Sequence, residues 1–545
     1  MEASARAGSL RSRVHQWRAG RLGAESALVA FTLLAAGAML LYLQRDTTFY
    51  RDEWSFVLYR QGQSVENYLA PNAGNLVLLP ALLYVAMFKA FGLDSPEVVR
   101  IVSVATTLLC AWLLYRWARR RVSPWGAVLP LVSILSFGPG WNDLLWPFQV
   151  GYFISLAAGI GSLILLEHDR PRADAGAAAL VALGVMGSSV GLAFAASGFA
   201  MVLARGRRQP GTLALFALPV VAWLVWYQAY ATADARFHPS NLAQAPALAF
   251  ESAGAAMGGV TALGPAAGTV LLLGLLVLVV RRVVRDGHLT PELAGPIAFG
   301  IAFWALISLA PLAGSAPDES RYLLPGAVAI LLVGVELLRG ATASRGWAAT
   351  ILIAFALVTV SNLASLRNAA VSVRGTSNEA KAELAAVEVA GTRLAPGYEA
   401  NVSEFEIEGA AYLAAVQHWD SSPAPDPKTL HRLSASQRSA FDRALLAAEG
   451  ITAAPIARPR AVARCERIPA EGTEVSPSGR GWVVISGPRP VQLGIRRLGD
   501  TPTTLTELPP RGARTVRLPK DGLSRPWVLS ASRPRSRPGC LFSPG

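Results

Sequence analysis

The stretch LVLLPALLYVAMFKAFG, residues 76–92, decides how the rest of the chain is arranged. It is apolar, but a helix that crosses the hydrocarbon core of a membrane needs about 20 apolar residues. This stretch is shorter and carries Pro80 and Lys89 in its interior. It either crosses a membrane or lies along the surface as an amphipathic or re-entrant helix. Every later loop lies on one side of the membrane with the first placement and on the opposite side with the second.

Eleven other apolar stretches are candidates for membrane-spanning helices. They cover residues 26–44, 97–116, 125–139, 149–166, 174–187, 190–204, 211–229, 264–281, 292–313, 322–338 and 347–364. The chain of 545 residues is 52% hydrophobic and only 16% charged, whereas soluble domains carry about 25% charged residues. These figures predict a polytopic membrane protein, embedded in a lipid bilayer.

The arginine-rich loops favour the surface placement of residues 76–92, because Lys and Arg accumulate in cytoplasmic loops. With this placement, the loops 140–148 and 187–189, which contain no Lys or Arg, fall on one side. The clustered arginines of the alternate loops fall on the other side, at positions 116, 119–121, 170, 172, 205, 207, 208, 281, 282, 285, 339 and 345. We therefore expect a plasma-membrane protein with a cytoplasmic N-terminus and an extracytoplasmic region after residue 364.

The chain has three predicted parts. A cytoplasmic segment, residues 1–25, precedes a transmembrane domain, residues 26–364, and an extracytoplasmic α+β region, residues 365–545. The predicted fold class is a polytopic α-helical membrane protein with about eleven transmembrane helices and a juxtamembrane helix. The net charge of +14 does not indicate nucleic-acid binding, because the arginines form no basic face with interleaved aromatic residues.

The C-terminal part changes character along its length. Its first half predicts helices over 376–392 and 428–449, where alanine, glutamate and leucine are abundant. Its second half predicts short strands at WVVIS, VQLGIRRL, TVRLP and WVLSAS, which begin at residues 482, 491, 515 and 527. We expect a small β module at about 465–545. Cys465 and Cys540 lie at its ends and can form a disulfide if the region is extracytoplasmic; two free thiols in a disordered tail are the alternative.

An acidic sequence follows the first apolar stretch: Tyr50-Arg51-Asp52-Glu53-Trp54. Carboxylates at a membrane boundary are costly to hold near lipid and often mark a functional site. Asp52 or Glu53 is a candidate base for transfer of a group to a hydroxyl or an amine. Arg51 offers positive charge to a departing phosphate, or it pairs with Asp52. The alternative is that all these charges are solvated.

A second loop, GPGWNDLLWPFQ at residues 138–149, contains one acid, Asp143, among aromatic residues. Trp146 and its aromatic neighbours suit stacking against a sugar ring. They also suit the aromatic belt that membrane proteins carry at the bilayer interface. A belt requires neither Asp143 nor Gln149, and this favours a binding role for the loop.

A third sequence, PDESRYLLP at residues 317–325, opens the tenth apolar stretch. Arg321 is one of few basic residues on the predicted outer side of the membrane domain. An arginine at a helix start binds a lipid phosphate well, through charge-assisted and bidentate hydrogen bonds. The alternative is an arginine that extends towards water and pairs with Asp318 or Glu319. Tyr322 directly follows and is a candidate for the same site.

These features together resemble the GT-C superfamily of polyprenyl-phosphate-sugar-dependent membrane glycosyltransferases. Relatives include the protein mannosyltransferases, the lipid A aminoarabinose transferase and the arabinosyl- and mannosyltransferases of actinobacterial envelopes. The resemblance covers about residues 26–364. It rests on Arg51-Asp52-Glu53-Trp54, on a surface helix with Leu78-Leu79-Pro80-Ala81-Leu82-Leu83-Tyr84 and Phe91-Gly92, on Asp143, and on Ser320-Arg321-Tyr322-Leu323-Leu324-Pro325.

The resemblance implies a function and a set of site residues. The first-loop aspartate is the proposed catalytic base of such enzymes, and this role falls on Asp52, with Glu53 or Asp143 in support. The donor would be a polyprenyl-phosphate-linked sugar, and the acceptor an envelope glycan, lipid or protein. The substrate-binding candidates are Arg51, Trp54, Asn75, Trp146, Gln149, Arg321 and Tyr322.

Two other functions stay open. The first is a transporter or flippase for lipid-linked glycans, which needs a polar path through the bilayer, although the apolar stretches hold few ionisable residues. The second is a non-catalytic scaffold whose tail binds envelope partners. No cofactor is certain: the spacing of His, Cys and acids indicates no structural zinc site, and a divalent cation held by Asp52 and Asp143 stays open.

Overall fold

The structure, a computed structural model, forms two compact units, each built from separate parts of the chain. Unit 1 comprises Met1–Arg45, Gly62–Tyr84 and Glu97–Val371, and unit 2 comprises Asp46–Gln61, Val85–Pro96 and Ser372–Gly545. The structure describes all residues except 1, 63, 73, 207–208, 231–238, 310–315, 343, 458–465, 470, 477–480, 522, 524, 533–539 and 543–545. It describes the backbone alone at residues 2–22, 239–240, 466–467, 532 and 540–542.

Helices dominate the described chain. In order they are α1 (Glu2–Leu43), α2 (Glu53–Tyr59), α3 (Val65–Leu69), α4 (Leu78–Phe91), α5 (Glu97–Arg119), α6 (Pro124–Leu135), α7 (Trp141–Leu145), α8 (Val150–Leu166), α9 (Pro171–Gly187), α10 (Val190–Ala204), α11 (Pro210–Tyr230), α12 (Ala245–Thr261), α13 (Gly264–Asp286), α14 (Pro291–Leu309), α15 (Ser320–Leu337), α16 (Arg345–Ala390), α17 (Gly409–Trp419) and α18 (Ala435–Ala448).

Eight helices of the described residues are long and apolar enough to cross a membrane, namely α1, α5, α8, α11, α13, α14, α15 and α16. Two others, α6 and α10, are apolar but shorter, and α9 has 17 residues. Each of these helices coincides with one of the eleven stretches expected from the sequence. The predicted polytopic helical membrane fold is therefore confirmed.

One end of unit 1 brings arginines and carboxylates together. The guanidinium of Arg121, just after α5, lies 2.5 Å from a carboxylate oxygen of Glu167 and 2.5 Å from one of Glu336. Arg205, just after α10, lies 3.5 Å from Glu292. The C-terminal ends of α5, α8, α10 and α15 and the start of α14 therefore meet at this end, which we call the arginine end.

The opposite end of unit 1 carries the loops that lack Lys and Arg. Gln44, after α1, donates a hydrogen bond to the carbonyl of Leu144 over 2.8 Å. Ser320, at the start of α15, donates to the carbonyl of Pro139 over 2.7 Å. The end of α1, the short helix α7 and the start of α15 thus meet at this end, which we call the loop end.

Helix directions show that α4 does not cross unit 1. Helix α1 finishes at the loop end, and α5 runs antiparallel to it, since Arg119 in its last turn contacts Glu25 near the start of the apolar part of α1. The chain therefore returns to the loop end before α5 begins. Pro80 of α4 lies beside Gly151, the start of α8, at the same end. This matches the expected surface placement of residues 76–92 and the expected juxtamembrane helix.

Helix α12 also starts and finishes at the loop end, and the sequence analysis missed it. Helix α11 starts shortly after Arg205 at the arginine end, and α13 finishes shortly before Glu292 at the same end. Helix α11 therefore reaches the loop end and α13 departs from it. Helix α12, which lies between them, both starts and finishes at the loop end. Gly259 of α12 packs there against Phe137. The helices that cross unit 1 within its described part are then eleven: α1, α5, α6, α8, α9, α10, α11, α13, α14, α15 and α16.

Small residues let the crossing helices approach closely. Gly191 of α10 lies against the backbone of Gly184 in α9, and Gly159 of α8 lies against the ring of Phe194 in α10. A Cβ atom at these glycines would overlap its neighbour. Lipid is as apolar as the side chains, so membrane helices depend on such close packing for their association. These contacts hold α8, α9 and α10 side by side.

Unit 2 contains the strands of the described chain. They are β1 (Glu399–Val402), β2 (Phe405–Glu408), β3 (Ala453–Pro455), β4 (Glu466–Arg467), β5 (Thr473–Val475), β6 (Gly481–Ile485), β7 (Val491–Arg496), β8 (Thr503–Leu508), β9 (Ala513–Arg517), β10 (Trp527–Ser532) and β11 (Cys540–Phe542). Strands β1 and β2 form a hairpin, and the others form two antiparallel sheets of order β5-β10-β7-β8 and β3-β9-β6-β11-β4.

One hydrophobic core joins both sheets to α18. Its fully buried members include Leu445 of α18, Val484 of β6, Ile495 of β7, and Trp527 and Leu529 of β10. Side chains alternate between the two faces of a strand, and β6, β7 and β10 offer apolar side chains to this core. The predicted C-terminal α+β region is therefore present.

The four strands predicted from apolar sequences in the C-terminal part are confirmed. The four predicted strands correspond to β6, β7, β9 and β10, and the predicted helices at 376–392 and 428–449 correspond to the end of α16 and to α18. The expected disulfide involves Cys465, which lies outside the described residues, and Cys540, of which only the backbone is described. It stays a prediction.

Candidate active site

The residues predicted for the site belong to both units. Unit 1 holds Asn75, Asp143, Trp146, Gln149, Arg321 and Tyr322. Unit 2 holds Arg51, Asp52, Glu53 and Trp54. All members of the first group lie at the loop end of unit 1, so the structure brings them to one side of the helical bundle.

A serine fixes the start of α15 against α7. The Oγ atom of Ser320 accepts a hydrogen bond from the backbone N–H of Asn142 over 3.1 Å and donates one to the carbonyl of Pro139 over 2.7 Å. Asp143 directly follows Asn142 in the chain, and Arg321 directly follows Ser320. The two charged residues expected from separate loops are therefore held on elements that are anchored to each other.

Asp143 is a buried carboxylate, with 1% of its surface exposed. Neither of its oxygens has a hydrogen-bond partner among the residues that the structure describes. Burial raises the pKa of the Asp143 carboxyl well above its usual range, and the positive charge of Arg321 offsets part of this effect. Buried polar groups in proteins are almost always hydrogen-bonded, so an exception of this kind points to a ligand.

Arg321 forms an ion pair with Glu319, with a hydrogen bond from its Nη2 atom. Its Nε and Nη2 atoms each lie 3.1 Å from an oxygen of that carboxylate. The guanidinium carbon also lies 5.0 Å from the ring centre of Tyr322. Of the two partners that the sequence offered for a paired arginine, Asp318 and Glu319, the structure selects Glu319.

Tyr152 is a candidate site residue that the sequence analysis missed. It lies in the first turn of α8 and interacts electrostatically with Asp143, Glu319, Arg321 and Tyr322. In the sequence it stands within an apolar stretch, where a tyrosine is typical of the membrane interface. Only its position beside four polar groups distinguishes it.

The second loop holds further buried oxygen atoms and a stacked aromatic pair. The amide oxygens of Asn142 and Gln149 have no hydrogen-bond partner within the described chain, and these side chains are 3% and 2% exposed. Trp146 stacks on Phe148 with ring centres 5.0 Å apart. Amide and carboxylate oxygens accept hydrogen bonds, and hydroxyl groups such as those of a sugar donate them.

Asn75 connects loops at the loop end. Its side-chain oxygen accepts a hydrogen bond from the Oγ of Ser189 over 2.8 Å. Its backbone exchanges two hydrogen bonds with Asn72, of 3.1 and 2.9 Å. Asn75 therefore joins the loop before α4 to the turn between α9 and α10.

In unit 2, Arg51 pairs with Glu404 at the tip of the β1–β2 hairpin. The sequence had offered Asp52 as its partner. Arg51 has a backbone φ of +47°, in the left-handed region that residues other than Gly and Asn rarely adopt. The backbone therefore turns sharply just before Asp52.

Asp52 and Glu53 begin α2 and differ in their surroundings. Asp52 occupies the N-cap position and is half-buried. Glu53 is 1% exposed, and its Oε2 atom accepts a hydrogen bond from the backbone N–H of Tyr50 over 2.9 Å. Glu53 thus secures the turn, which leaves Asp52 as the more accessible carboxylate.

Trp54 anchors α2 in the interior of unit 2. Its side chain is fully buried and packs edge to face against Phe49, at 5.6 Å between ring centres, and Tyr412, at 6.1 Å. At the other end of α2, the indole N–H of Trp419 donates to the carbonyl of Val57 over 2.9 Å. Helix α17, about 360 residues later in the chain, therefore contacts both ends of α2.

The described residues show no cluster of three or more His, Cys, Asp and Glu side chains that would hold a metal ion. Asp52 and Asp143, considered together as ligands of a divalent cation, belong to different units. The groups around Tyr152 at the loop end of unit 1 are two carboxylates, a second phenol and a guanidinium. Such groups exchange protons, donate hydrogen bonds and bind phosphate.

No family model matches the sequence, and no curated protein matches it. One solved structure is similar: the crystal structure of ArnT from Cupriavidus metallidurans in the apo state. The two chains are 12% identical, and the match covers 75% of this chain and 91% of that chain, with a TM-score of 0.49. A likeness of this size fixes neither family nor activity.

Proposed function

We propose that this protein is an integral membrane glycosyltransferase of the GT-C type. It takes a sugar from a polyprenyl-phosphate-linked donor and transfers it to a glycan, lipid or protein of the cell envelope. The arginine end of unit 1 faces the cytoplasm, as expected for loops rich in Arg. The reaction takes place on the outer face of the plasma membrane, where the region after residue 364 also lies.

The observation that carries this proposal is the buried Asp143 carboxylate at the loop end, which interacts electrostatically with Arg321. A buried carboxylate without hydrogen-bond partners in the described chain is costly to retain. Beside it stands a guanidinium, the group that best matches a phosphate. A ligand with hydroxyl groups and a phosphate satisfies both, and a lipid-phosphate sugar has this composition.

Arg321 binds the phosphate of the donor in this proposal. Because Arg321 already pairs with Glu319, the phosphate must either share the guanidinium or displace that carboxylate. Arginine has five N–H donors, so one guanidinium can bind both groups. Trp146 and Gln149 line the sugar pocket, and Tyr322 and Tyr152 stand beside the phosphate.

Asp52 is the base in the proposed reaction. The oxygen of the acceptor hydroxyl attacks the anomeric carbon while the bond from that carbon to the phosphate oxygen breaks. The hydroxyl proton passes to the Asp52 carboxylate, and polyprenyl phosphate leaves with the bonding electrons. Positive charge near the departing phosphate stabilises the charge that develops there.

A transfer assay in isolated membranes tests the function. Labelled polyprenyl-phosphate sugars are supplied to membranes that contain the wild type, Asp52→Asn or Asp143→Asn at equal protein levels. We expect transfer by the wild type and a loss of roughly 100-fold or more in Asp52→Asn, since a general base contributes factors of this size. Asp143→Asn should lose a comparable factor.

Two exposed acids on neighbouring segments serve as matched controls. Asp94→Asn in unit 2 and Asp318→Asn in unit 1 remove the same charge from exposed positions, and both should retain full transfer. Equal transfer by the wild type and Asp52→Asn would remove Asp52 from the reaction. Absence of transfer by the wild type across a broad donor panel would contradict the proposed function.

A further inference from the structure

A glutamate of the C-terminal region reaches the acidic loop. Glu404 forms an ion pair with Arg51, the residue directly before the proposed base. The two side chains are 59% and 30% exposed, so the pair lies at the surface of unit 2. Exposed ion pairs contribute little to stability, and stability alone therefore gives little reason for this contact.

The backbone is unfavourable at both partners. Glu404 has a φ of +63° and Ser403 one of +56°, as a two-residue hairpin turn requires between the paired residues Val402 and Phe405. Such turns prefer Asn and Gly, so a glutamate at this tip carries strain. Arg51 has a φ of +47° and is strained as well. Strained residues concentrate at functional sites, where the surrounding structure enforces them.

The rest of the acidic loop is secured by other contacts. Glu53 binds the backbone N–H of Tyr50, and Trp54 is buried between aromatic rings. These contacts fix α2 but do not act on the side chain of Arg51. The Arg51 side chain itself has two neighbours: the ring of Tyr50, whose centre lies 5.2 Å from the guanidinium carbon, and the carboxylate of Glu404. Of these two, Glu404 is the charged partner and the one that comes from outside the acidic loop.

We propose that Glu404 is a positioning residue, which fixes the strained turn at Arg51 and thereby the direction of the Asp52 carboxylate. The consequence for catalysis rests on the proposed function, because it assumes that Asp52 is the base. The consequence for geometry does not, because it concerns only where residue 52 points.

The geometry is tested by thiol labelling of Asp52→Cys in the full chain, with Cys465 and Cys540 replaced by Ser. Glu404→Gln should raise the labelling rate of residue 52 by about 5-fold. An exposed ion pair contributes at most about 1 kcal/mol, and its loss changes the population of a conformation by about this factor. The matched control is Glu406→Gln on the same hairpin, which removes a charge from an exposed position and should leave the rate unchanged. Equal rates in all three backgrounds would overturn the proposal.

The catalytic effect is tested with Asp52 in place. Glu404→Gln should lower kcat by about 5-fold, because the loss of one exposed ion pair can shift the population of the productive conformation by no more than this factor. The KM for the donor and the melting temperature should be unchanged. Arg51→Gly, which accepts a positive φ, should lose the same factor, and the double variant should lose no more. A lower donor KM in Glu404→Gln would instead show that Glu404 competes with the donor for Arg51.

Two further outcomes contradict the proposal. Additive losses in the double variant would mean that Glu404 does not act through Arg51. A lower melting temperature with an unchanged kcat of the folded protein would make Glu404 a structural residue only. If the wild type transfers no sugar, the proposed function fails, and the labelling rates alone decide whether Glu404 positions residue 52.

Discussion

At the residue scale, Asp143 combines complete burial with the lack of any hydrogen-bond partner in the described chain. A side chain with a purely structural task seldom combines these two properties, because leaving a buried group unpaired costs about 1–3 kcal/mol. Proteins commonly accept such a cost at sites where activity needs it. Removal of the carboxyl charge should therefore increase stability while it decreases activity.

We predict that Asp143→Asn unfolds at a higher temperature than the wild type at pH 8. Burial raises the pKa of Asp143 in the folded protein, so its contribution to stability is fully present below the unfolded pKa of about 4. That contribution is lost as the pH rises through the folded pKa. Asn does not titrate, so the difference in melting temperature between Asp143→Asn and the wild type should grow from about pH 4 upwards. The measurement is thermal unfolding in detergent across this range.

Asp318→Asn is the control for this pH series, because Asp318 is exposed in the same region. Its melting temperature should follow that of the wild type at every pH. A lower melting temperature for Asp143→Asn at pH 8 would mean that the carboxylate is satisfied in the folded protein, and it would weaken the argument for a ligand there.

The sequence identified some site residues and missed others for a physical reason. Asp143 and Arg321 stand out because a charge beside an apolar stretch is costly. Tyr152 does not, since a tyrosine is common at a membrane interface. Glu404 is one of many acids in the C-terminal region, and its partner Arg51 is 353 residues away. Only the folded chain shows such pairs.

At the element scale, α4 and α12 are apolar helices that do not cross unit 1. The sequence identified α4 through its short length and its proline and lysine. It missed α12, which contains Glu251 and several glycines among alanines and so lacks the hydropathy of a crossing helix. Hydropathy also missed β8, whose sequence TTLTEL is mostly polar.

Cysteine accessibility tests the placement of α12. We predict that Gln244→Cys and Leu263→Cys, at its two ends, react with a membrane-impermeant maleimide from the same side of the membrane. Gly287→Cys, after α13, should react from the opposite side. The background carries Ser at Cys465 and Cys540; Cys110 is buried. Labelling of residues 244 and 263 from opposite sides would show that α12 crosses.

The arginine end depends on one buried side chain. The side chain of Arg121 is fully buried and joins Glu167 to Glu336, while its guanidinium carbon lies 3.2 Å from the ring centre of Trp117. Removing one partner of a buried ion pair costs about 3–5 kcal/mol, because the remaining charges stay buried. The residue therefore ties α5 to α8 and α15.

We predict that Arg121→Ala lowers stability by about 3–5 kcal/mol. Its neighbour Arg120 also contacts Glu167, but its side chain is 34% exposed, so Arg120→Ala should cost at most about 1 kcal/mol. Thermal unfolding of both variants in the same detergent provides the comparison. Equal shifts for the two variants would mean that Arg121 is not buried as described.

At the scale of the whole molecule, the sequence predicted the eight helices that are long and apolar enough to cross a membrane, because length and charge are properties of each segment alone. The membership of unit 2 does not follow from these properties. Residues 46–61 and 85–96 pack with residues after 372, and such pairing over long distances leaves no local pattern. The strands that the sequence found are the apolar ones, because alternation is visible only where one face is apolar.

Trp419 connects the three segments of unit 2. It donates to the carbonyl of Val57 and packs against Phe88 at 5.3 Å between ring centres. We predict that Trp419→Ala destabilises unit 2 by about 3–5 kcal/mol and exposes residues 46–61 to protease. Trp419→Phe, which keeps most of the packing, should cost about 1 kcal/mol through the lost hydrogen bond.

The exposed Gln417 on the same helix provides the control for this variant. Gln417→Ala should leave both the melting temperature and the protease pattern unchanged. Protection of residues 46–61 in Trp419→Ala equal to that in the wild type would mean that the loop does not depend on α17.

The long separation between the parts of unit 2 has a consequence during synthesis. The backbone N–H of Thr48 bonds to the Oγ of Ser377, 329 residues later in the chain. At a translation rate of roughly 5–20 residues per second, the acidic loop waits roughly 15–65 s for this partner. During that time the first helix is already made and Phe88 is available to pack against Phe49, but the C-terminal partner of the loop is absent. The acidic loop therefore gains this contact only when Ser377 of the 545 residues has been made, and a chain interrupted before that point carries the loop's residues without this contact.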